Sequence, residues 1–238
     1  MQATELDLEQ VNVEHHRAEA PVYDEMRQHP EIWSPREQRR LHRAVGRALK
    51  VCGPASEPVR ALDVGAGTGN LARHLLDEGC AVTALDLSSE MLQVLSRKFP
   101  GEAESSRLEM VVSSASRLPF GDGAFDLVGC CSVLHHILDY VGAVREMARV
   151  LKPGGVLFID HEGCAERWTG RVHFGHFRLF SRFLAAAPLL PDSTGEAVSQ
   201  APAPGAEALR GLLDDTRPVR RFRVDPGGTI FGVRHRAR

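Results

Sequence analysis

The chain has 238 residues, 43% of them hydrophobic and 25% charged, with a formal net charge of −2. That balance is typical of a core-forming globular protein and excludes a disordered or strongly nucleic-acid-like chain. No apolar run approaches the ~18 residues that would span a bilayer, and the acidic stretch Met1–Gln10 lacks the apolar core of a secretory leader.

Five cysteines, Cys52, Cys80, Cys130, Cys131 and Cys164, form an odd set without a C-x-x-C pair. This argues against a disulfide scaffold or a zinc site and fits a reducing, cytoplasmic setting. Charge is unevenly placed: residues 61–166 carry a net −7 and residues 167–238 a net +6. A basic C-terminal face can attract an anionic acceptor. The plainer reading is an Arg-rich solvated surface, since 26 of the 29 basic residues are Arg.

The first 50 residues read as helical. Leu41, Val45 and Leu49 recur at four-residue spacing, and Pro30 and Ser34-Pro35 divide the stretch into at least two helices. From Arg60 the pattern alternates. Arg60 to Val64 is a short apolar strand, followed by a glycine-rich turn, a helix over about 70–78 and a second strand from Cys80 to Leu87. Ser88 is placed to cap the next helix, with Glu90 in its first turn. Leu108 to Ser113 and Phe125 to Cys131 are the third and fourth strands.

Val141, Val144, Ala148 and Leu151 then mark an amphipathic helix. Pro153-Gly154-Gly155 is expected to stop it before a fifth strand, Val156 to Asp160. Arg220 to Val224 and Thr229 to Arg234 read as a closing antiparallel hairpin. The expected fold is α/β: a doubly wound, mostly parallel, seven-stranded Rossmann-like sheet with a C-terminal hairpin. The expected organisation is one domain, with a helical cap over 1–50, a core over 51–165, and a variable cap plus hairpin over 166–238. Phe174, Phe177, Phe180 and Phe183 interleave with arginines in that last part. Their spread is too broad for a clean membrane-lying stripe, so a cap over the core is favoured over lipid contact.

The strongest chemical signal is Leu62-Asp63-Val64-Gly65-Ala66-Gly67-Thr68-Gly69-Asn70. A strand enters a Gly-x-Gly-x-Gly turn and continues directly into a helix, which lets backbone approach a ligand closely. Asp86 ends the second strand 21 residues after Gly65, where a carboxylate can accept both hydroxyl protons of a ribose. A nucleoside-type cofactor at the switch point of the sheet follows. A dinucleotide fingerprint would place glycine at position 70, where Asn70 stands, and Asp63 suits a ligand ammonium better than a pyrophosphate.

These residues resemble the class I S-adenosylmethionine-dependent methyltransferases, small-molecule group, related to the ubiquinone and menaquinone methyltransferases. Four blocks match in order: LDVGAGTGN at 62–70, ALDLSSEML at 84–92, LPFGDGAFDLV at 118–128 and REMARVLKPGGVL at 145–157. The resemblance covers about residues 58–162 and implies S-adenosyl-L-methionine as cofactor. It implies that Asp63 holds the cofactor's amino group, directly or through water, while Gly65, Ala66, Gly67, Gly69 and Asn70 line its methionine end. It also implies that Asp86 binds the ribose, Leu87 and Met91 pack on the adenine, and Ser114 and Ala115 flank the exocyclic amine. Cys131 and Ser132 then lie near the sulfonium. Ser114 departs from the family, which usually has an acidic residue there, so the resemblance implies a neutral contact and weaker cofactor affinity.

Methyl transfer needs alignment and exclusion of water more than acid–base machinery. For a hydroxyl acceptor, His136 and then His135 are the candidate general bases, with His161 and Glu162 behind them. His15, His16 and Tyr23 are candidates for a helix folding over the cofactor. His173-x-x-His176 has helical metal spacing but no third ligand, so no metal is expected. The expected acceptor is a small organic molecule, anionic or aromatic, with oxygen slightly favoured as the methylated atom. No nucleic-acid partner is expected, and the oligomeric state is open. Two alternatives stay open: a non-catalytic relative that binds the cofactor, and, less favoured, a nicotinamide-dependent oxidoreductase.

Overall fold

In the computed structural model, residues 5–26, 34–52, 57–162, 219–224 and 230–234 are described, with side chains over 9–24, 34–52 and 57–162. The aromatic and basic stretch 166–184, the Pro/Ala-rich stretch 188–205 and His173/His176 lie outside the described residues.

Three helices come first: α1 (Glu5–Glu19), α2 (Tyr23–Met26) and α3 (Pro35–Cys52). Ser34 and Pro35 start α3 rather than merely interrupting what precedes it. The Ser34 hydroxyl accepts the Glu37 N–H at 3.2 Å, and proline at the first helical position has no N–H to lose. Leu41, Ala44, Val45 and Ala48 form the buried face of α3.

The alternating part follows as β1 (Arg60–Val64), α4 (Asn70–Asp77), β2 (Ala81–Asp86), α5 (Ser89–Lys98), α6 (Pro100–Glu104), β3 (Leu108–Val112) and β4 (Phe125–Cys131). A 3-10 turn at Leu134–His136 leads to α7 (Tyr140–Val150) and β5 (Leu151–Asp160). The hairpin is β6 (Val219–Val224) and β7 (Ile230–Arg234). The strands order as β3-β2-β1-β4-β5-β7-β6, parallel from β3 to β5, with β7 antiparallel to both β5 and β6. The expected sheet is therefore present.

Two boundaries differ from the sequence reading. The short helix α6 was not expected. The fifth strand begins at Leu151, because Phe125 pairs with Leu151 and Leu127 with Val156. Lys152 to Gly155 is thus an insertion inside the strand pairing rather than the stop of α7. Gly155 cannot carry a side chain there, since a Cβ would lie 2.7 Å from the Asp126 carbonyl oxygen.

Alternation along the strands divides the core in two. Ala61, Leu127, Val156 and Phe158 pack with α3, α4 and Leu92 and Leu95 of α5 on one face. Leu62, Val64, Val128, Cys130, Leu157 and Ile159 pack with Val144 and Met147 of α7 on the other. Cys130 and Cys131 fall on opposite faces, as their adjacency predicts. Polar residues in the same alternation, Asp63 and Asp160, therefore share the α3/α4 face. The order reverses between β1 and β4, which opens a crevice at the carboxyl ends of the strands.

Candidate cofactor and acceptor site

A cavity occupies that crevice. The first turn contributes Gly65, Ala66, Gly67, Thr68 and Asn70; the end of β2 contributes Asp86, Leu87 and Met91; and the end of β3 contributes Ser113 to Ser116. Cys131, Ser132, Val133, His136, Ile137 and Leu138 close it beyond β4, while α1 and α2 cover it with Glu9, Asn12, His15, His16, Glu19 and Tyr23.

Asp86 is held by backbone alone. Its Oδ2 accepts the Gly67 N–H at 2.8 Å and its Oδ1 the Ser88 N–H at 2.8 Å. The carboxylate keeps acceptor capacity toward the cavity, which suits a vicinal diol. Burial raises its pKa, against the pull of the Ser88, Gly67 and Leu87 N–H groups and of His16. Ser88 also caps α5, its hydroxyl accepting the Met91 N–H at 3.2 Å. Gly65 has φ +67°, and a Cβ on it would lie 2.6 Å from both Val133 methyls, so the turn admits only glycine as it stands.

Asn70 is oriented on both sides. Its Nδ2 donates to Cys131 Sγ at 3.6 Å and its Oδ1 accepts from Gln38 of α3 at 2.9 Å. Burial holds the Cys130 and Cys131 thiols well above their usual range, so neither offers a thiolate. Ser132 sits in left-handed backbone, φ +62°, between β4 and the 3-10 turn. Burial pushes the Tyr23 phenol up to about 12, leaving it a neutral donor over the cavity.

Three sequence candidates are not on the wall. Gly69 caps α4 with φ +95°, and its missing side chain makes room for Leu95 and Phe99. Asp63 lies beneath the turn, 1% exposed, with neither oxygen at hydrogen-bond geometry to a described partner. Burial pushes its pKa up to about 8, with the Ala72 N–H pulling weakly the other way. His135 turns away, its Nδ1 lying 3.1 Å from Glu162 Oε2, while Glu162 Oε1 accepts the Val133 and Leu134 N–H groups at 2.7 and 3.0 Å. His136 does face the cavity. Asn12 donates to its carbonyl at 3.1 Å, and its ring lies 5.7 Å from that of His16 at a near-perpendicular 78°.

Glu9, Asn12 and Glu19 were not anticipated. With His16 they recur along α1 at 9, 12, 16 and 19, a helical stripe that is polar and so escapes a search for apolar periodicity. The Ser114 hydroxyl donates to Glu9, which sets a carboxylate beside the neutral contact expected there. Further bonds tie the helices down: Asp24 accepts from Thr68 Oγ1 and Lys98 Nζ, both at 2.7 Å, and Arg17 donates to Glu90 at 2.7 Å. Among the described residues His42, His74 and Asp77 bring ligand atoms within 4.8 Å of one another, but none of the three lines the cavity.

Residues 62–159 match the family described as "Methyltransferase domain". A ubiquinone/menaquinone biosynthesis C-methyltransferase of Geotalea daltonii is 32% identical over 154 residues, 59% of this chain and 65% of that one. A ubiquinone biosynthesis O-methyltransferase of Xanthomonas oryzae is 39% identical over 102 residues, 42% of each chain. The chain thus spans less than two thirds of the length of these relatives. Among solved structures, a Methanococcus maripaludis protein assigned as an S-adenosyl-L-methionine-dependent methyltransferase has the same fold. It superposes with a TM-score of 0.61 at 17% identity, over 93% of this chain and 94% of that one. No described helix is long and apolar enough to cross a membrane.

Proposed function

We propose that this chain, whose residues 62–159 are a class I S-adenosylmethionine-dependent methyltransferase domain, transfers a methyl group to a small organic acceptor. The observation that carries the reading is the Asp86 carboxylate at the carboxyl end of β2, fixed by the Gly67 and Ser88 amides on the wall of the cavity.

The residues fit this cofactor. Asp86 would hold the ribose diol, and Leu87 and Met91 would pack against the base. Gly65, Ala66 and Gly67 would follow the methionine end. Asn70, held by Gln38 and facing Cys131, would bound that end. The unsatisfied carboxylate of Asp63 lies below the same turn and would answer the ligand's ammonium, directly or through a water. Cys131 and Ser132 would line the space beside the reacting sulfur.

When bound, S-adenosylmethionine supplies a methyl group already activated on a sulfonium. The chain has to align the acceptor, exclude water and take a proton where the acceptor is a hydroxyl. The Glu9-to-Tyr23 wall covers the cavity and excludes water. His136 is the candidate base, its ring on the wall beside His16. His135, turned toward Glu162, is placed instead to position the turn that carries His136.

A phenolic or quinol-type ring is the acceptor class favoured here. It suits the His16, His136 and Tyr23 wall, and the names of both relatives refer to quinone biosynthesis, one with carbon and one with oxygen as the methylated atom.

The first experiment is calorimetric titration of wild type and Asp86→Ala with S-adenosylmethionine, S-adenosylhomocysteine and NADH. Micromolar binding of the two sulfur compounds, weakened about 100-fold or more in the variant, supports the reading. Binding of NADH in their place overturns it.

A further inference from the structure

The site has a direction. If the ribose rests on Asp86 at the end of β2 and the amino-acid end follows the turn after β1, the base must lie on the opposite side. That side is the end of β3, which pairs with β2 through Asp86 and Val112. The wall there consists of Leu87, Met91, Ser114 and Ala115, with Glu9 reaching in from α1.

Ser114 has a single proton, and it is given to Glu9 Oε1. Its oxygen already accepts the Ser116 N–H at 3.0 Å. The hydroxyl can therefore meet a ligand only as an acceptor, while Glu9 keeps Oε2 for a second donor and, among the described residues, carries the negative charge at this end of the cavity wall. A pair that presents acceptors and no proton selects a base edge that donates.

We propose that Glu9 is an adenine-recognising residue, its carboxylate held by Ser114 and accepting a proton of the exocyclic amine. This rests on the cofactor reading above and deepens it. An N-terminal helix supplies the charge that Ser113 to Ser116 at the end of β3 lack, so α1 is part of the cofactor site as well as its cover. A base bearing oxygen in place of the amine would bring a lone pair against a carboxylate and be rejected.

The test is calorimetric titration of the full chain with S-adenosylhomocysteine and S-inosylhomocysteine, which differ in that group and in the proton that the inosyl base carries on its N1. Wild type is expected to prefer the adenosyl compound by at least about tenfold. Glu9→Gln, whose amide can donate to oxygen, is expected to weaken adenosyl binding about tenfold and to erase most of that preference. Adding Ser114→Asp to Glu9→Gln returns a carboxylate to the same spot and is expected to restore the preference.

The preference is a ratio within one preparation, so partial unfolding lowers both affinities and leaves it unchanged. Glu9→Gln binding that keeps the wild-type affinity and preference overturns the role of Glu9 while the cofactor reading stands. Wild type that binds neither compound overturns both.

Discussion

Arg40 and Asp160 form a two-pronged ion pair between α3 and the end of β5, with Nη2 to Oδ1 at 2.6 Å and Nη1 to Oδ2 at 3.2 Å. Asp160 is 1% exposed, so its charge leans on this partner, on the His161 N–H, which donates to Oδ1 at 2.7 Å, and on the His161 ring, whose Nδ1 lies 2.9 Å from the same oxygen. Glu37 lies on the other side of Arg40 and also faces His161 Nε2 at 3.1 Å. The pair anchors the helical cap to the strand beside the cavity. It also sets the position of α3, from which Gln38 orients Asn70.

Arg40→Ala is expected to cost about 3 kcal/mol, because it strands a buried carboxylate rather than merely deleting a contact. Arg40→Met combined with Asp160→Leu removes both charges and is expected to recover most of that loss. Urea denaturation of the three proteins measures this. A single variant as stable as wild type would show that Asp160 reaches water or another cation.

The turn after β1 offers a paired comparison. Gly65→Ala suffers both a left-handed φ and a Cβ 2.6 Å from the Val133 methyls, whereas Gly67→Ala suffers only the φ of +52°, with nothing within 4 Å. Gly67→Ala is expected to cost about 1 kcal/mol and Gly65→Ala more, with Val133→Ala recovering the difference but not the φ strain. Thermal unfolding of the four proteins measures the order. Both glycines line the cavity, so S-adenosylhomocysteine affinity should fall in either variant.

The parallel strands, their order and the cofactor end of the cavity were legible because each rests on a local pattern. Short apolar runs mark β1 and β4, Ser88 marks the start of α5, and Asp86 sits where a strand ends. The α1 contribution was only half legible. His15, His16 and Tyr23 drew attention as residue types, but Glu9 acquires meaning only when tertiary packing sets it against Ser114, 105 residues away. Gly69 and Asp63 show what the same local pattern leaves open. The glycine pattern alone does not tell a residue that lines a ligand from one that lets Leu95 approach, nor a wall from the layer beneath it.

His136→Gln keeps the size and a polar end but removes the base. For a hydroxyl acceptor, kcat is expected to fall about 100-fold with S-adenosylhomocysteine affinity unchanged. His135→Gln is expected to have a smaller effect, since that ring turns to Glu162. Methyl transfer from labelled S-adenosylmethionine to a panel of phenols and quinols measures both. Full activity in His136→Gln with such an acceptor would remove His136 from the chemistry.

Asp63 is expected to link cofactor binding to protons. Burial holds its folded pKa at about 8, against an ordinary 3.8 in the unfolded chain. Between those values the folded state keeps a proton that the unfolded state has lost, so this group's contribution to stability falls as pH rises from about 4 to 8 and is level above. Asp63→Asn lacks that slope. Its stability relative to wild type is therefore expected to improve steadily from pH 5 to pH 8 in urea titrations. A ligand ammonium beside Asp63 would favour the ionised form and expel the proton. At pH 7 wild type is thus expected to release close to one proton per S-adenosylmethionine bound, read from the dependence of the binding enthalpy on the ionisation enthalpy of the buffer. Asp63→Asn is expected to bind more weakly and release none from this position. Equal enthalpies for wild type in phosphate and Tris would mean that the ammonium does not reach Asp63, and that the carboxyl stays protonated beneath the turn.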